Sequence, residues 1–268
     1  RWLGQRRRVV DSGKRGAAAY RLYWFLVIDV ALHLAIKFTA CVAKSRSLVT
    51  FLYRRILPLL VFPRWTVTDR SDRQLTMRHE LFRHFELELF VQRRDLPGAL
   101  ELVRETLVAA GSSTADVPPG ILAQAEAAGR SAELKRLSGT YQHHYPICIR
   151  RVLPEDALLS MASSVGRPED DWYAISLITY RSPREPFMQT ARFLADVTHT
   201  LHGARIHWGK WFPHSGAQVE AAYPALEAFR DHCRGADPAG VFRNSFIEQT
   251  LFEEPTAGRA QSGRPPSA

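Results

Sequence analysis

Cysteine is scarce in this sequence, and the three that occur, Cys41, Cys148 and Cys233, are far apart. A disulfide framework or a thiolate zinc site needs more cysteines at closer spacing, so both are excluded. The scarcity fits a reducing compartment, and we expect a cytoplasmic location. The sequence also lacks any repeat with a period of about 20 to 50 residues, which excludes a solenoid.

Several catalytic signatures are absent as well. There is no Gly-x-Gly-x-x-Gly after a strand, no phosphate loop and no Gly-x-Ser-x-Gly elbow. His79 and His84 stand five residues apart, whereas two zinc ligands on one helical face need a spacing of four. His199 and His202 have a suitable spacing, but no carboxylate close in sequence completes a site. We therefore predict no metal site.

The composition is nevertheless that of a folded protein. Of the 268 residues, 46% are hydrophobic, 10% aromatic and 24% charged, which is enough to bury a core and excludes a disordered regulator. The formal net charge of +9 favours anionic partners such as phosphates, anionic lipid or an acidic ligand. Nucleic acid is not an expected partner, because the basic residues are dispersed and no helix-turn-helix or RNA-binding strand motif occurs.

Residues 1–76 are predicted to form a basic, amphipathic helical segment. Its two helices run from about 18 to 43 and from about 48 until Pro63. Asp29, His33 and Lys37 interrupt the apolar run of the first helix at spacings of four, which predicts that they share one face. We expect this helix to pack against protein or to lie in a membrane interface rather than to cross a membrane.

Residues 77–251 are predicted to form an α+β domain, an antiparallel sheet covered on one side by helices. In its first strand apolar residues alternate with Glu86 and Glu88, which is typical of a half-buried strand. A turn is expected at 237–240 and a disordered tail over 252–268, which is rich in Gly, Pro, Ser and Ala. The further expected elements are strands at 145–152 and 172–180 and helices at about 96–110, 121–137, 184–202 and 219–233.

The segment 205–214 has the highest density of chemically active side chains. It holds His207, Lys210 and two tryptophans, Trp208 and Trp211. A cation beside an imidazole, walled by aromatic rings, suits an anionic or electron-rich planar ligand. The alternative is a strand end whose tryptophan rings fill the core while Lys210 merely reaches solvent. The pattern alone leaves both interpretations open.

Five segments, in this order along the chain, carry a family resemblance. They are 85–91 with Leu96-Pro97-x-Ala99-Leu100, then Tyr145-Pro146-Ile147-Cys148-Ile149-Arg150, Ile175-Ser176-x-x-x-Tyr180, His207-Trp208-Gly209-Lys210, and Tyr223-Pro224 with Asp237-Pro238-x-Gly240-x-Phe242-x-Asn244. Residues 77–251 thereby resemble the C-terminal, substrate-covering region of the D-arabinono-1,4-lactone oxidase and L-gulonolactone oxidase family. These are FAD-linked oxidoreductases of the vanillyl-alcohol-oxidase type.

The resemblance implies a two-domain flavoenzyme that oxidises a hydroxyl-bearing substrate, an aldonolactone or sugar alcohol, by hydride transfer to FAD. The FAD-binding domain of such enzymes is N-terminal, and its motifs are not found in this sequence. Because the sequence begins with Arg1 rather than Met, we expect that domain upstream. It would be this chain's partner, and the chain alone would be colourless and inactive.

The resemblance also implies roles for particular residues. The implied catalytic residues are His207, Lys210 and Arg150. Lys210, His207 and Asn244 would contact the flavin, while Arg150, Cys148, His144 and Tyr180 would line the substrate site. The two cations would stabilise the anionic reduced flavin, and His207 would accept a proton or orient the ligand. Asn244 would bond the cofactor, brace the returning chain, or simply cap a turn.

Two positions depart from the family pattern. Cys148 stands where a glutamate often precedes the arginine, and Ile178 stands where a histidine is common. Fewer hydrogen-bonding groups weaken the case for a polyol or sugar lactone and favour a less polar alcohol, although His143 or His144 could compensate. A competing interpretation is a non-catalytic module that attaches to a membrane surface or a partner through its N-terminal helices.

Overall fold

The computed structural model describes residues 14–42, 45–60, 70, 81, 84–112, 117–180 and 184–252. The described residues contain a four-stranded antiparallel sheet. With helices packed on this sheet, the predicted α+β class is confirmed. The predicted tail lies outside the described residues, apart from Phe252. The strands are β1 (His84–Gln92), β2 (Cys148–Val152), β3 (Trp172–Tyr180) and β4 (Arg205–Ile206). Their order in the sheet is β2-β3-β1-β4.

Two long helices, Leu96–Gly111 and Glu185–His202, cover one face of the sheet. The odd-numbered residues of β1 point into this layer, because side chains alternate along a strand. Leu87, Leu89 and Val91 are completely buried there against Ile175 and Leu177 of β3. The second long helix ends at Gly203, whose φ of 58° is left-handed and suits glycine.

The shorter helices flank this core, and two predicted helices are each divided in the structure. The expected helix over 121–137 is broken at Gly129, whose φ is 68°. The expected helix over 219–233 is broken at Tyr223 and Pro224. Strand β2 begins at Cys148 rather than at residue 145, after Pro146, which has no N–H to donate to a ladder. The helices are Pro119–Ala127, Ser131–Leu137, Gly216–Ala222, Leu226–Ala236 and Ser245–Ile247, with a π-helical turn at Glu248–Phe252.

The N-terminal residues form a helical hairpin, here defined as residues 14–42 and 45–60. Its first arm alternates between α-helix and π-helix, and Ser45 caps the second arm by accepting a hydrogen bond from the Leu48 N–H at 3.3 Å. Ile36 and Leu52 pack with Ile178 of β3, so the hairpin lies against one end of the sheet.

The hairpin turns polar side chains inward and apolar ones outward. Asp29 and His33 are both buried, which agrees with the prediction that they share one face of the helix. Lys37 was expected on the same face, but it is exposed. Ile36 takes the inward position instead, and the charged end of Lys37 stays in water, where it keeps its hydration. The outward apolar residues are Leu22, Phe25, Leu26, Leu34, Phe38, Val42, Leu48, Phe51 and Leu59.

One helix of the described residues, Ala17–Thr39, is long and apolar enough to span a membrane. This finding rests on length and composition alone, which a signal sequence or a core helix also satisfies. Only 28% of its most apolar window is buried in the structure, so it is not a typical core helix. The observation is compatible with membrane association and gives it weak support.

Candidate active site

The face of the sheet opposite the two long helices is polar in its middle. Glu86 and Glu88 of β1 point to this face, and the strand registers place Ser176 beside Glu88 and Cys148 beside Ser176. His207 joins the same row, because its backbone N–H donates to the Glu88 carbonyl at 3.0 Å. The row Cys148, Ser176, Glu88 and His207 thus runs from β2 across β3 and β1 to the residue that follows β4. We call this surface, with Glu86, Arg150 and Lys210, the polar face.

Lys210 is held on the polar face by Glu86. Its Nζ lies 2.6 Å from Glu86 Oε2, and the Ser176 hydroxyl donates to the other oxygen of the same carboxylate. Burial raises the pKa of Glu86, but the hydrogen bonds from Lys210 and Ser176 outweigh it and leave this pKa below its ordinary value. Glu86 is therefore ionised at neutral pH and forms a charge-assisted pair with Lys210.

Arg150 is held on the polar face by Glu88. The guanidinium reaches diagonally over the small side chain of Ala174 and donates to Glu88 Oε1. Glu88 is completely buried, whereas the Arg150 side chain is 62% exposed. Arg151 points to the opposite face and pairs with Asp171 at 2.7 Å, as the alternation of a strand requires. Arg150 and Lys210 therefore share one face, as their proposed joint role requires.

The ring of His207 is oriented by its own turn. Its Nδ1 accepts a hydrogen bond from the Gly209 N–H at 2.9 Å, so the proton of the neutral ring lies on Nε2. Nε2 lies 3.9 Å from Glu88 Oε2. Because Nδ1 already accepts a hydrogen bond and Nε2 bears the proton, the neutral ring has no free acceptor, which favours the orienting role predicted for His207 over that of a proton acceptor. A side chain at Gly209 would approach His207 Cε1 to 3.3 Å, so glycine suits this close approach.

Buried interactions fix the segment that carries His207. The Arg205 guanidinium lies between the rings of Trp172 and Tyr223, 4.4 Å from each centroid, and donates to the Ser163 carbonyl at 2.7 Å. Burial lowers the pKa of Arg205 to about 10, so it stays charged at neutral pH. The Trp208 indole N–H donates to the Leu159 carbonyl at 2.8 Å. These contacts attach the loop after β2 to β4.

The tryptophans do not wall the Lys210 and His207 pair, contrary to the ligand-site interpretation of this segment. Trp208 stacks on Phe212 with centroids 4.5 Å apart, and Trp211 packs against Phe85 on the helix-covered side. Both indole rings fill hydrophobic clusters, which is where large aromatic rings are most stable. The alternative interpretation, in which the tryptophan rings fill the core, is therefore right for Trp208 and Trp211. Its other part is wrong, because Lys210 is ion-paired on the polar face rather than merely reaching solvent.

The remaining predicted site residues have different locations. Cys148 is exposed on the polar face beside Ser176. His144 is buried at the end of β3, where its Nε2 accepts from the Tyr180 N–H at 3.4 Å, and the Tyr180 hydroxyl contacts the His33 ring of the hairpin. Asn244 is exposed and caps the helix Ser245–Ile247, its Oδ1 accepting from the Ile247 N–H at 2.9 Å. The hydrogen bonds of His144, Tyr180 and Asn244 therefore join parts of the fold to one another and do not belong to the polar face.

Sequence reasoning missed the two carboxylates of the polar face. Glu86 and Glu88 were assigned to the solvent side of a half-buried strand, but β1 is buried on both faces, since Phe90 and Gln92 are buried too. The sequence did contain a signal, because an aromatic residue, Phe90, stands on the same side of the strand two positions after Glu88. Within the described part of the chain, no group of three or more His, Cys, Asp or Glu side chains is placed to hold a metal ion.

Comparisons with known proteins identify the family of the chain. A family profile described as D-arabinono-1,4-lactone oxidase matches residues 16–250, which is most of the chain. The chain belongs to the D-arabinono-1,4-lactone oxidase family. The resemblance inferred from the five sequence segments is thereby confirmed. The match includes the hairpin as well as the sheet, so the hairpin is part of what this family has in common with the chain.

Individual relatives add detail. The chain is 42% identical over 257 residues to a long-chain alcohol oxidase of an uncultured marine euryarchaeote, an alignment of 95% of the chain and 53% of that protein. It is 31% identical over 114 residues to the L-gulonolactone oxidase of Scyliorhinus torazame, with 41% and 24% covered. It is 34% identical over 103 residues to the alditol oxidase of a Streptomyces strain, with 38% and 23% covered. The chain thus spans about half the length of the first of these relatives, and less of the others.

Proposed function

We propose that this chain is the substrate-covering part of an FAD-dependent oxidoreductase that converts an alcohol to a carbonyl compound. The observation that supports this most is the polar face, where Arg150 and Lys210 lie together, each bound to a carboxylate of β1. The relatives named as alcohol, gulonolactone and alditol oxidases support the same reaction class. The flavin would be held chiefly by the upstream domain that we expect.

The donor set of the polar face fits the acceptor-rich edge of a flavin ring. Arg150 and Lys210 have side chains 62% and 32% exposed, so their N–H groups are available to a ligand. A bound flavin would accept a hydride from the carbon that bears the hydroxyl group.

The chain's own residues orient the substrate and stabilise charge. Arg150 and Lys210 are fixed in place before any ligand binds, so their positive charges stabilise developing negative charge without reorganisation. His207 bears its proton on Nε2, on the side of the ring that faces Glu88. Glu86 and Glu88 neutralise the two cations when the face is empty. A ligand anion on this face therefore shares each cation with a carboxylate of β1.

We propose a long-chain, apolar alcohol as the substrate rather than an aldonolactone or alditol. Ile178, where the family often has histidine, is half-buried and packs with Ile36, Leu52 and Tyr145 at the junction of sheet and hairpin. Cys148 offers no carboxylate to a second hydroxyl group. A relative that aligns with 95% of the chain is a long-chain alcohol oxidase.

Flavin reduction by a panel of alcohols, aldonolactones and alditols tests both the proposed reaction and the proposed substrate class. The chain expressed with its flavin-binding domain should be yellow and should be bleached anaerobically by long-chain primary alcohols. Arg150→Met and Lys210→Met should slow the bleaching, while Arg151→Met, on the opposite face, should not. Bleaching by aldonolactones or alditols alone would refute the substrate class, and a protein that never binds flavin would refute the oxidoreductase.

We further propose that the hairpin attaches the protein to an anionic membrane surface. Its outward residues are apolar, with Phe25 50% and Phe38 57% exposed, so the hairpin presents an exposed hydrophobic surface. Exposed basic residues of the same hairpin, Arg21, Lys37 and Arg54, add attraction to anionic headgroups. This refines the competing interpretation into a second property of the same chain.

Vesicle sedimentation tests the attachment. The protein should sediment with vesicles of phosphatidylglycerol and phosphatidylcholine and less with phosphatidylcholine alone. Phe25→Asp with Phe38→Asp should abolish sedimentation, because two charges would enter the interface. Leu153→Asp is the matched control, since Leu153 is 65% exposed outside the hairpin. Equal loss in the control, or no loss in the double variant, would contradict the attachment.

A further inference from the structure

Glu88 is a completely buried carboxylate near the centre of the sheet. Its Oε1 accepts from Arg150, whereas its Oε2 has no hydrogen-bond partner among the described residues. A buried carboxylate with an unsatisfied oxygen destabilises a fold, because the lost hydration is not replaced. An apolar residue here would avoid that cost, so the carboxylate points to a function beyond folding.

Two ionisable side chains near this carboxylate are ones that we assign to ligand binding. Arg150 contacts Oε1, and His207 Nε2 lies 3.9 Å from Oε2. Since Nδ1 of His207 is occupied by the Gly209 N–H, the proton-bearing Nε2 is the ring atom closest to Glu88. A shift of about 1 Å would complete a hydrogen bond of normal length to the unsatisfied oxygen.

Arg150 has no alternative anchor among the described residues of the polar face. It lies on an edge strand, and its side chain is mostly exposed. Its neighbours on the same face, Cys148 and Ala174, offer no carboxylate, and Glu86 is occupied by Lys210 and Ser176. Without Glu88 the long side chain would be free to adopt many rotamers, at the expense of its fixed position.

We propose that Glu88 is a positioning residue, whose carboxylate holds the Arg150 guanidinium and the His207 imidazole ready for substrate and flavin. The proposal rests on the function proposed above, because Arg150 and His207 matter only if the polar face binds those ligands. Glu88 itself lies beneath them and does not touch the ligand. It acts across the sheet, from β1 to β2 and to the turn after β4.

A double-mutant cycle in the flavin-loaded enzyme tests the effect on catalysis. Glu88→Gln keeps the size of the side chain and removes its charge, and it should lower kcat/KM about tenfold or more. In an Arg150→Ala background the same change should cost at least about threefold less, because the group that it positions is gone. Equal factors in both backgrounds would show a merely structural role and overturn the proposal. Asp171→Asn, which removes the carboxylate of Arg151 on the opposite face, is the matched control and should leave kcat/KM unchanged.

A second measurement on the 268-residue chain needs neither flavin nor turnover. Cys148 is exposed on the polar face, so its alkylation rates, followed by peptide mass mapping, report the local charge. Glu88→Gln leaves Arg150 uncompensated and should raise the ratio of the iodoacetate rate to the iodoacetamide rate about twofold. General loosening of the fold would raise both rates and leave the ratio unchanged.

The two measurements separate failure of this inference from failure of the proposed function. An unchanged alkylation ratio in Glu88→Gln would overturn the Glu88 contact with Arg150, whatever the enzyme does. An increased ratio in Glu88→Gln but not in Asp171→Asn would support the contact even if the protein does not oxidise any alcohol. The increased ratio together with a non-additive cycle is the result that we expect.

Discussion

The pair of Glu86 and Lys210 allows a quantitative prediction, Glu86→Gln. The substitution keeps the shape of the side chain and an acceptor for the Ser176 hydroxyl, but it removes the charge that faces Lys210 Nζ at 2.6 Å. A hydrogen bond between two charged groups contributes about 1.5 to 3 kcal/mol. Because the Lys210 side chain is 32% exposed, we take the low end, a loss of about 1.5 kcal/mol in the free energy of unfolding at pH 7.

This loss should depend on pH in a defined direction. The fold lowers the pKa of Glu86 from its ordinary value of 4.5. The folded protein therefore holds this proton less tightly than the unfolded chain, and the stabilisation is fully present above pH 4.5. It disappears as the pH falls through the lower, folded pKa. The difference between wild type and Glu86→Gln should shrink toward zero over that range. His84 Nε2, 3.9 Å from Glu86 Oε2, makes a smaller contribution to lowering the pKa of Glu86.

Urea unfolding from pH 7 down to pH 3, in wild type and variant side by side, measures this difference directly. Glu101→Gln is the matched control, because Glu101 is paired with Arg104 on an exposed helix surface and should show a smaller difference. A difference between wild type and Glu86→Gln that stays constant from pH 7 to pH 3 would refute the reasoning. It would show that Lys210 does not keep Glu86 ionised.

Two further predictions concern the segments around the polar face. Arg205→Met should destabilise the protein by about 3 kcal/mol in urea unfolding, because the buried carbonyls of Ser163 and Ala222 lose their donor; a change below about 1 kcal/mol would contradict the role of Arg205 as an anchor. Asn244→Ala should cost about 1 kcal/mol by loss of the helix cap, whereas Asn244→Ser should retain both stability and flavin. Loss of flavin in the serine variant would show instead that Asn244 binds the cofactor.

Much of the fold could be predicted because its signals are local. Strand β3 runs from Trp172 to Tyr180 as expected, since its residues are nearly all β-branched, aromatic or apolar. The helix Glu185–His202 likewise has an apolar stripe and ends at a glycine. The two helices that were expected whole and are divided show the limit of this approach. At Gly129 and at Pro224 a single residue interrupts a periodic pattern, and the pattern alone does not say whether the helix continues beyond it.

The polar face could be predicted only in part, for a different reason. His207, Lys210 and Arg150 were found because they stand in recognisable segments. Their partners Glu86 and Glu88 stand in an alternating pattern, and alternation does not say whether the second face meets water or other side chains. That depends on strand pairing between residues about 60 to 120 positions apart, as in the contact of Arg150 with Glu88.

The alternation of β1 nevertheless carries a physical argument that applies once the pairing is known. A carboxylate on a buried face is stable only beside a cation or several donors. Glu86 and Glu88 each meet this condition with a different cation, one from β2 and one from the turn after β4. The two carboxylates therefore hold the two ends of the sheet's polar face together. Exchange of both pairs for apolar residues could keep the fold, and it would remove the positive charge that a flavin and its substrate require.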